Sequence, residues 1–168
     1  MPFSDAKILK GRVTYINHPI GVAKILTDAC IFDLATIQAA ILHDTVEDTD
    51  TTFEEIEERF GKEVKDIVEE VTDDKELPTL ERKRLQIVTT PHKSNKEIVK
   101  LADKLYNLRD IQRSIPVDWT EEQYFQWAKK VTDGAKGINQ KLEDQLEEIY
   151  QNGTFEFKGV TYKCHPHN

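Results

Sequence analysis

The 168-residue chain has only two cysteines, seven glycines and six prolines, and it contains no long apolar run. Cys30 and Cys164 cannot build the disulfide framework of a small secreted domain, so we expect a reducing setting, cytoplasmic or nuclear, and of the two we predict the cytoplasm. No stretch approaches the roughly 20 apolar residues of a membrane span, and residues 1–5 lack a signal-peptide core. The scarcity of glycine and proline favours a helix-rich domain.

Positive charge is also in deficit, since the formal net charge is -8. This balance argues against a nucleic-acid partner and against a membrane-surface anchor. It does not argue against a small anionic substrate, because a metal ion and a local basic cluster can invert the field. The sequence leaves the oligomeric state open.

Apolar residues recur with a helical period along most of the chain, which predicts an all-α bundle. One helix is expected from about Asp33 to Val46. A capping box at Thr52 and Glu55 predicts the start of a short helix that Gly61 should stop. A second capping box, Thr120 with Gln123, predicts a long helix to about Tyr150. Two glycines, Gly134 and Gly137, weaken that last helix and predict a bend in it.

The end of the chain has a different pattern. Residues 154–162 alternate apolar and polar side chains around Lys158-Gly159, which predicts a short hairpin. We therefore expect one helical domain over residues 1–150 and a C-terminal tail over residues 151–168.

An imidazole and three carboxylates follow the apolar segment 39–42. His43 and Asp44 are adjacent, and Glu47 and Asp48 come one helical turn later. On a continuous helix, residues four apart share a face, so all four would lie on one side. Carboxylates crowded beside a core segment repel one another unless a cation or solvent screens them, and a divalent metal is the simplest solution.

Two further ionisable residues stand in apolar surroundings. His18 lies upstream, and Asp103 interrupts the apolar run 98–105. Ionisable groups directed toward a core need partners. The predicted ligands of one divalent ion are His18, His43, Asp44 and Asp103. This mixed nitrogen and oxygen set suits Mn, Fe or Mg better than a closed structural zinc site, although zinc stays open.

A purely structural interpretation competes with the metal site. Histidine and aspartate often satisfy each other or cap a helix, and a lone His43-Asp44 pair would fit that description. The recurrence of such residues in three separate segments favours the metal.

With these residues identified, the chain resembles the HD-domain metal phosphohydrolases. More narrowly, it resembles the hydrolase domain of RelA/SpoT-type enzymes in their small, single-domain animal branch. The matching segments, over about residues 13–150, are 15–19 (YINHP), 43–49 (HDTVEDT), 71–75 (VTDDK), 81–86 (ERKRLQ) and 101–109 (LADKLYNLR).

The resemblance implies an HD-domain fold and a manganese-dependent activity. Members of this family remove the 3′-pyrophosphate of guanosine 3′,5′-bis(diphosphate), ppGpp, which gives GDP and pyrophosphate. The animal branch also removes the 2′-phosphate of NADPH. A small nucleotide is thus the expected partner.

The resemblance also assigns roles to single residues. His18, His43, Asp44 and Asp103 match the metal ligands of the family. Glu47 and Asp48 match the pair that positions and activates the water. Asn107 matches an asparagine near the ribose, and Tyr124 a tyrosine near the nucleotide.

A basic segment follows Pro78. We expect Lys83, with Arg82 and Arg84 beside it, to contact substrate phosphates. A solvated helix face is the competing interpretation for each of the three. Trp127, three residues after Tyr124, is assigned to the core.

The chain departs from the family at its start. Relatives carry a full basic helix ahead of the His18 motif, whereas here only seventeen residues precede His18. Lys7, Lys10 and Arg12 would partly replace it. This departure leaves open a binding or regulatory form with weakened catalysis. A separate alternative is an HD phosphohydrolase that acts on another nucleotide.

Overall fold

Helix accounts for most of the chain in the computed structural model, which describes residues 16–113 and 121–164, without the side chains of 121–123. The helices are α1 (Asn17–Asp28), α2 (Leu34–Leu42), α3 (Thr45–Asp48), α4 (Phe53–Phe60), α5 (Lys62–Val71), α6 (Thr79–Thr89), α7 (Ile98–Arg113), α8 (Glu121–Asp133) and α9 (Gln140–Asn152). Within the described ranges none of them is long and apolar enough to cross a membrane. The helical class predicted from the sequence is confirmed.

The chain divides into two compact units, residues 1–78 and residues 79–168. In the first unit, α2 packs against both α1 and α5, and α4 packs against α5. Its fully buried side chains include Val22, Leu26, Ala39, Ala40, Ile56 and Val68. Each large aliphatic side chain buried in this way contributes about 1.5–3 kcal/mol to stability.

Helix ends in the first unit follow their local sequence. The Thr52 hydroxyl accepts the backbone N–H of Glu55 at 3.2 Å, which confirms the predicted start of α4. Gly61 has a φ of 92° and donates its N–H to the Glu57 carbonyl at 2.9 Å. Because few other residues tolerate that φ, Gly61 ends α4 as predicted.

The predicted helix from Asp33 to Val46 is wrong in one respect, because it is interrupted after Leu42. The Thr45 hydroxyl donates to the Leu42 carbonyl at 2.7 Å, and the His43 ring lies 2.6 Å from the Ala40 carbonyl. These side chains thus form hydrogen bonds with carbonyl groups at the end of α2 that lack helical N–H partners. The break separates α2 from α3 and leaves His43 and Asp44 between them.

The second unit is built around α7, which contacts α8, α9 and strand β1 (Thr154–Phe157). β1 pairs antiparallel with β2 (Val160–Lys163) through a turn at Lys158 and Gly159, both with positive φ. This confirms the predicted hairpin. Phe155 of β1 stacks on Phe125 of α8 with ring centroids 5.9 Å apart, so the hairpin packs on the helices.

The predicted long C-terminal helix is two helices. α8 ends at Asp133, and Gly137 then adopts a φ of 94°. The Asn139 side chain accepts the N–H of Leu142 at 3.0 Å and starts α9. The two glycines predicted to bend one helix therefore lie between two.

Some predictions fall outside the described residues. These are the partial replacement of the first helix by Lys7, Lys10 and Arg12, and the capping box of Thr120 and Gln123.

We expect Gly153→Ala to destabilise the second unit by about 1–3 kcal/mol, the usual range for overpacking. A Cβ at this position would lie 2.4 Å from the Ile149 carbonyl oxygen and 3.1 Å from Cys164 Sγ. Urea denaturation measures the loss. The control is Gly159→Asn, because no atom lies within 4 Å of the Cβ site and Asn tolerates a positive φ. Equal stability of the two variants would contradict the prediction.

Candidate metal centre and its surroundings

His43 is buried at the end of α2, with 4% of its surface exposed. Its Nδ1 lies 2.6 Å from the Ala40 carbonyl oxygen. A carbonyl only accepts hydrogen bonds, so Nδ1 must carry the proton, and in the neutral ring Nε2 carries the lone pair. Histidines that bind metals commonly have one ring N–H donated to a backbone carbonyl in this way.

His18 and Asp44 lie beside this ring. Asp44 Oδ2 is 3.2 Å from His43 Nε2 and 3.5 Å from His18 Nε2. One ligand atom from each of the three residues lies within 4.8 Å of the others, a group that could hold a metal ion. A lone pair facing a carboxylate is unfavourable unless a cation lies between them. The donor set and its geometry therefore fit a divalent ion.

The local sequence explains how these three side chains meet. His18 is in the first turn of α1, where Pro19 fits because the proline nitrogen has no proton to donate. His43 and Asp44 occupy the break between α2 and α3. α1 packs against α2, and the 3.5 Å distance from His18 Nε2 to Asp44 Oδ2 shows that the start of α1 lies near the end of α2.

Glu47 and Asp48 lie on α3, next to the cluster in sequence. Glu47 Oε1 accepts the backbone N–H of Asp73 at 2.7 Å, which fixes this carboxylate against the segment that follows α5. Asp48 is exposed. The prediction that both acids share a continuous helix with His43 is wrong, and the anchoring of Glu47 by Asp73 was not predicted.

Asp103 lies on α7 in the second unit and is buried. Its Oδ1 accepts a hydrogen bond from Asn107 Nδ2 at 3.2 Å, since residues four apart on a helix share a face. The Lys104 ammonium lies 3.8 Å from Asp103 Oδ2. The carboxylate thus lies between an amide and an ammonium group.

Tyr124 of α8 joins the same group. Its hydroxyl is hydrogen-bonded to the Asn107 side chain. Burial raises the pKa of Tyr124 above its ordinary value, and the negative charge of Asp103 raises it further. The hydroxyl therefore stays protonated at neutral pH. The two residues expected near the nucleotide, Asn107 and Tyr124, form one network with Asp103.

The three basic residues of α6 have different environments and different partners. Arg84 is exposed and pairs with Glu81 at 2.6 Å, while Arg82 donates to the Thr79 hydroxyl at 3.1 Å. The Lys83 ammonium instead lies 5.3 Å from the centroid of the Trp127 ring, and burial lowers its pKa. Arg84 thus fits the solvated-face interpretation, and Lys83 does not.

Trp127 is not the core residue that we expected, because its side chain is only half-buried. Its Nε1–H donates to the Lys83 carbonyl at 3.0 Å, and the Lys104 ammonium lies 4.3 Å from its ring centroid. The only signal in the sequence for these contacts was the position of Trp127 three residues after Tyr124.

Residues 3–126 match the family model of the HD domain. Because the match covers well over half of the 168 residues, the chain belongs to the HD-domain family.

Within that family the chain is similar to animal proteins of one kind. It is 56% identical over 152 residues to the guanosine-3′,5′-bis(diphosphate) 3′-pyrophosphohydrolase MESH1 of Mus musculus, covering 88% of this chain and 82% of the mouse protein. The Homo sapiens protein of the same name is 57% identical over 142 residues, covering 82% of this chain and 79% of its own.

A solved structure supports the same grouping. It belongs to a study of a metazoan ortholog of SpoT that hydrolyses ppGpp and plays a role in starvation responses. The TM-score is 0.83 at 49% identity, over 88% of this chain and 85% of the other. The predicted RelA/SpoT-type resemblance and helical HD-domain fold are confirmed.

We expect His43→Ala to weaken the binding of a divalent ion by about a hundredfold or more, since losing even a hydrogen-bond partner of a metal ligand lowers metal affinity 10- to 100-fold. Isothermal titration with MnCl₂ measures the change. The control is His92→Ala, because His92 is exposed in a short 3-10 helix of the second unit. Unchanged affinity in the His43 variant would place the metal elsewhere.

Proposed function

We propose that this chain is a manganese-dependent 3′-pyrophosphohydrolase of ppGpp that releases GDP and pyrophosphate. The observation that carries the proposal is the His18, His43 and Asp44 cluster in a chain that is 56–57% identical, over 142–152 residues, to animal proteins named for this activity. The predicted catalytic domain, residues 1–150, includes every residue assigned a role below.

One divalent ion would be held by His18, His43, Asp44 and Asp103. The first three donors already lie together, and the buried Asp103 would supply a second carboxylate. Two imidazoles and two carboxylates suit manganese, although other divalent ions have the same preferences. When bound, such an ion lowers the pKa of a water and withdraws charge from a phosphoryl oxygen.

Glu47 and Asp48 would position the attacking water and accept its proton. The Asp73 N–H fixes the direction of the Glu47 carboxylate, as a general base requires. The oxygen of the water forms a bond to the phosphorus carried by the 3′ oxygen. The bond from that phosphorus to the 3′ oxygen then breaks, and the 3′ oxygen gains a proton.

The second unit would bind the rest of the nucleotide. Asn107 and Tyr124 offer an amide and a protonated hydroxyl to the ribose. Lys83 offers an ammonium group to the phosphates, and a positive charge there offsets their repulsion from the acidic residues.

We also propose that the chain removes the 2′-phosphate of NADPH. The 2′ and 3′ oxygens are adjacent on the ribose, so the same polar groups can orient a phosphate on either one. A cytoplasmic location completes the proposal, and the low cysteine content, two residues in 168, agrees with a reducing compartment.

With ppGpp and manganese we expect GDP and intact pyrophosphate as the only products, because the water attacks the phosphorus bonded to the 3′ oxygen. Ion-exchange chromatography separates the nucleotides, and a coupled pyrophosphatase assay distinguishes pyrophosphate from phosphate. Stepwise release of single phosphates would favour a phosphohydrolase for another nucleotide. No turnover, with ppGpp still bound, would favour the regulatory form.

We expect Glu47→Gln to lower kcat by about a hundredfold or more, the usual contribution of a general base, while manganese binding is retained. Steady-state kinetics and metal titration of the same preparation test both parts. Glu54→Gln is the control, because Glu54 is an exposed residue of α4. A metal-loaded Glu47 variant with normal kcat would remove Glu47 from the mechanism.

A further inference from the structure

Trp127 contacts residues of three helices in the second unit. From α8 its Nε1–H donates to the backbone carbonyl of Lys83 on α6 at 3.0 Å. Its ring centroid lies 5.3 Å from the ring of Tyr124 on its own helix. The Lys104 ammonium of α7 lies 4.3 Å from the same centroid. One indole ring therefore connects three elements that carry proposed substrate or metal contacts.

Both lysine ammonium groups lie within reach of the Trp127 ring. A lysine side chain has four rotatable bonds and loses much rotamer freedom when it is fixed. The face of an indole ring attracts an ammonium group, and the attraction is stronger in partly desolvated surroundings. Lys104 is buried and Lys83 is half-buried, so both ammonium groups are partly desolvated and the indole ring attracts them more strongly than it would at an exposed site.

The position of Lys104 matters for Asp103. Its ammonium is 3.8 Å from Asp103 Oδ2, which is an ion pair outside hydrogen-bond range. The ring lies close to the same ammonium group and attracts it. Without the ring, the ammonium would be able to approach the carboxylate and compete with a metal ion for it.

We infer that Trp127 is a positioning residue with two roles. It orients the Lys83 ammonium toward the substrate phosphates, and it keeps the Lys104 ammonium from approaching the Asp103 carboxylate more closely. The inference rests on the proposed function. It predicts two separate effects, one on the binding of substrate through Lys83 and one on the binding of metal through Lys104.

The test compares Trp127→Leu, Trp127→Phe and Phe125→Leu. Phe125 lies on the same helix but packs on the hairpin, so its variant controls for lost packing. We expect Trp127→Leu to raise the KM for ppGpp about tenfold, as the loss of a charged contact does, with a smaller fall in kcat. The KM of Trp127→Phe, which keeps an aromatic ring, should lie between the KM of Trp127→Leu and that of the wild type. Phe125→Leu should lower the melting temperature and leave KM unchanged.

Manganese titration tests the second effect. We expect Trp127→Leu to weaken manganese binding, and the double variant Trp127→Leu/Lys104→Met to restore it, because the competing ammonium has been removed. A structural role alone would not produce this rescue. Wild-type KM and wild-type manganese affinity in Trp127→Leu would overturn the inference, as would equal changes in Phe125→Leu.

The two proposals fail in different ways. If the wild-type protein hydrolyses no ppGpp, the proposed function is wrong. The manganese titration and its rescue use no nucleotide, so they still decide whether Trp127 acts on Asp103 through Lys104.

Discussion

The hydrogen bond between His43 Nδ1 and the Ala40 carbonyl determines the geometry of the candidate metal centre. It exists because α2 ends at Leu42 and leaves carbonyls without helical partners. It fixes the ring tautomer and turns Nε2 toward Asp44. A helix that continued through His43 would keep backbone partners for those carbonyls, and the ring would have no fixed direction. The interruption of the helix and the chemistry of the site are therefore one feature.

Charge is divided unevenly between the two units. Residues 1–78 contain 18 acidic and 8 basic residues, whereas residues 79–168 contain 13 acidic and 15 basic residues. The cluster of His18, His43 and Asp44 belongs to the acidic part, which attracts cations. The lysines around Trp127 belong to the part with a small basic excess, which suits phosphates. A metal-dependent hydrolase of a phosphorylated nucleotide needs both kinds of surroundings. The overall net charge does not show that acidic and basic residues are distributed differently in the two units.

Sequence patterns failed where two local interactions compete. The apolar period around residues 33–46 predicted one helix, but the side chains of His43 and Thr45 compete for its carbonyls and end it. Arg82, Lys83 and Arg84 looked equivalent, yet within the described part of the chain only Lys83 lies against an aromatic ring. Periodicity reports which face of a helix is apolar. It does not report which of several neighbouring polar groups finds a partner far away in the chain.

The sequence by itself determined the helical class, the hairpin at Lys158-Gly159 and the residue types that could bind a metal. These follow from local periodicity, from turn chemistry and from the rarity of ionisable groups in apolar runs. Only the tertiary structure decided that Asp73 anchors Glu47 and that two lysine ammonium groups lie near the Trp127 ring. Those contacts join residues 23 to 44 positions apart, and their geometry depends on how helices pack, which no local pattern encodes.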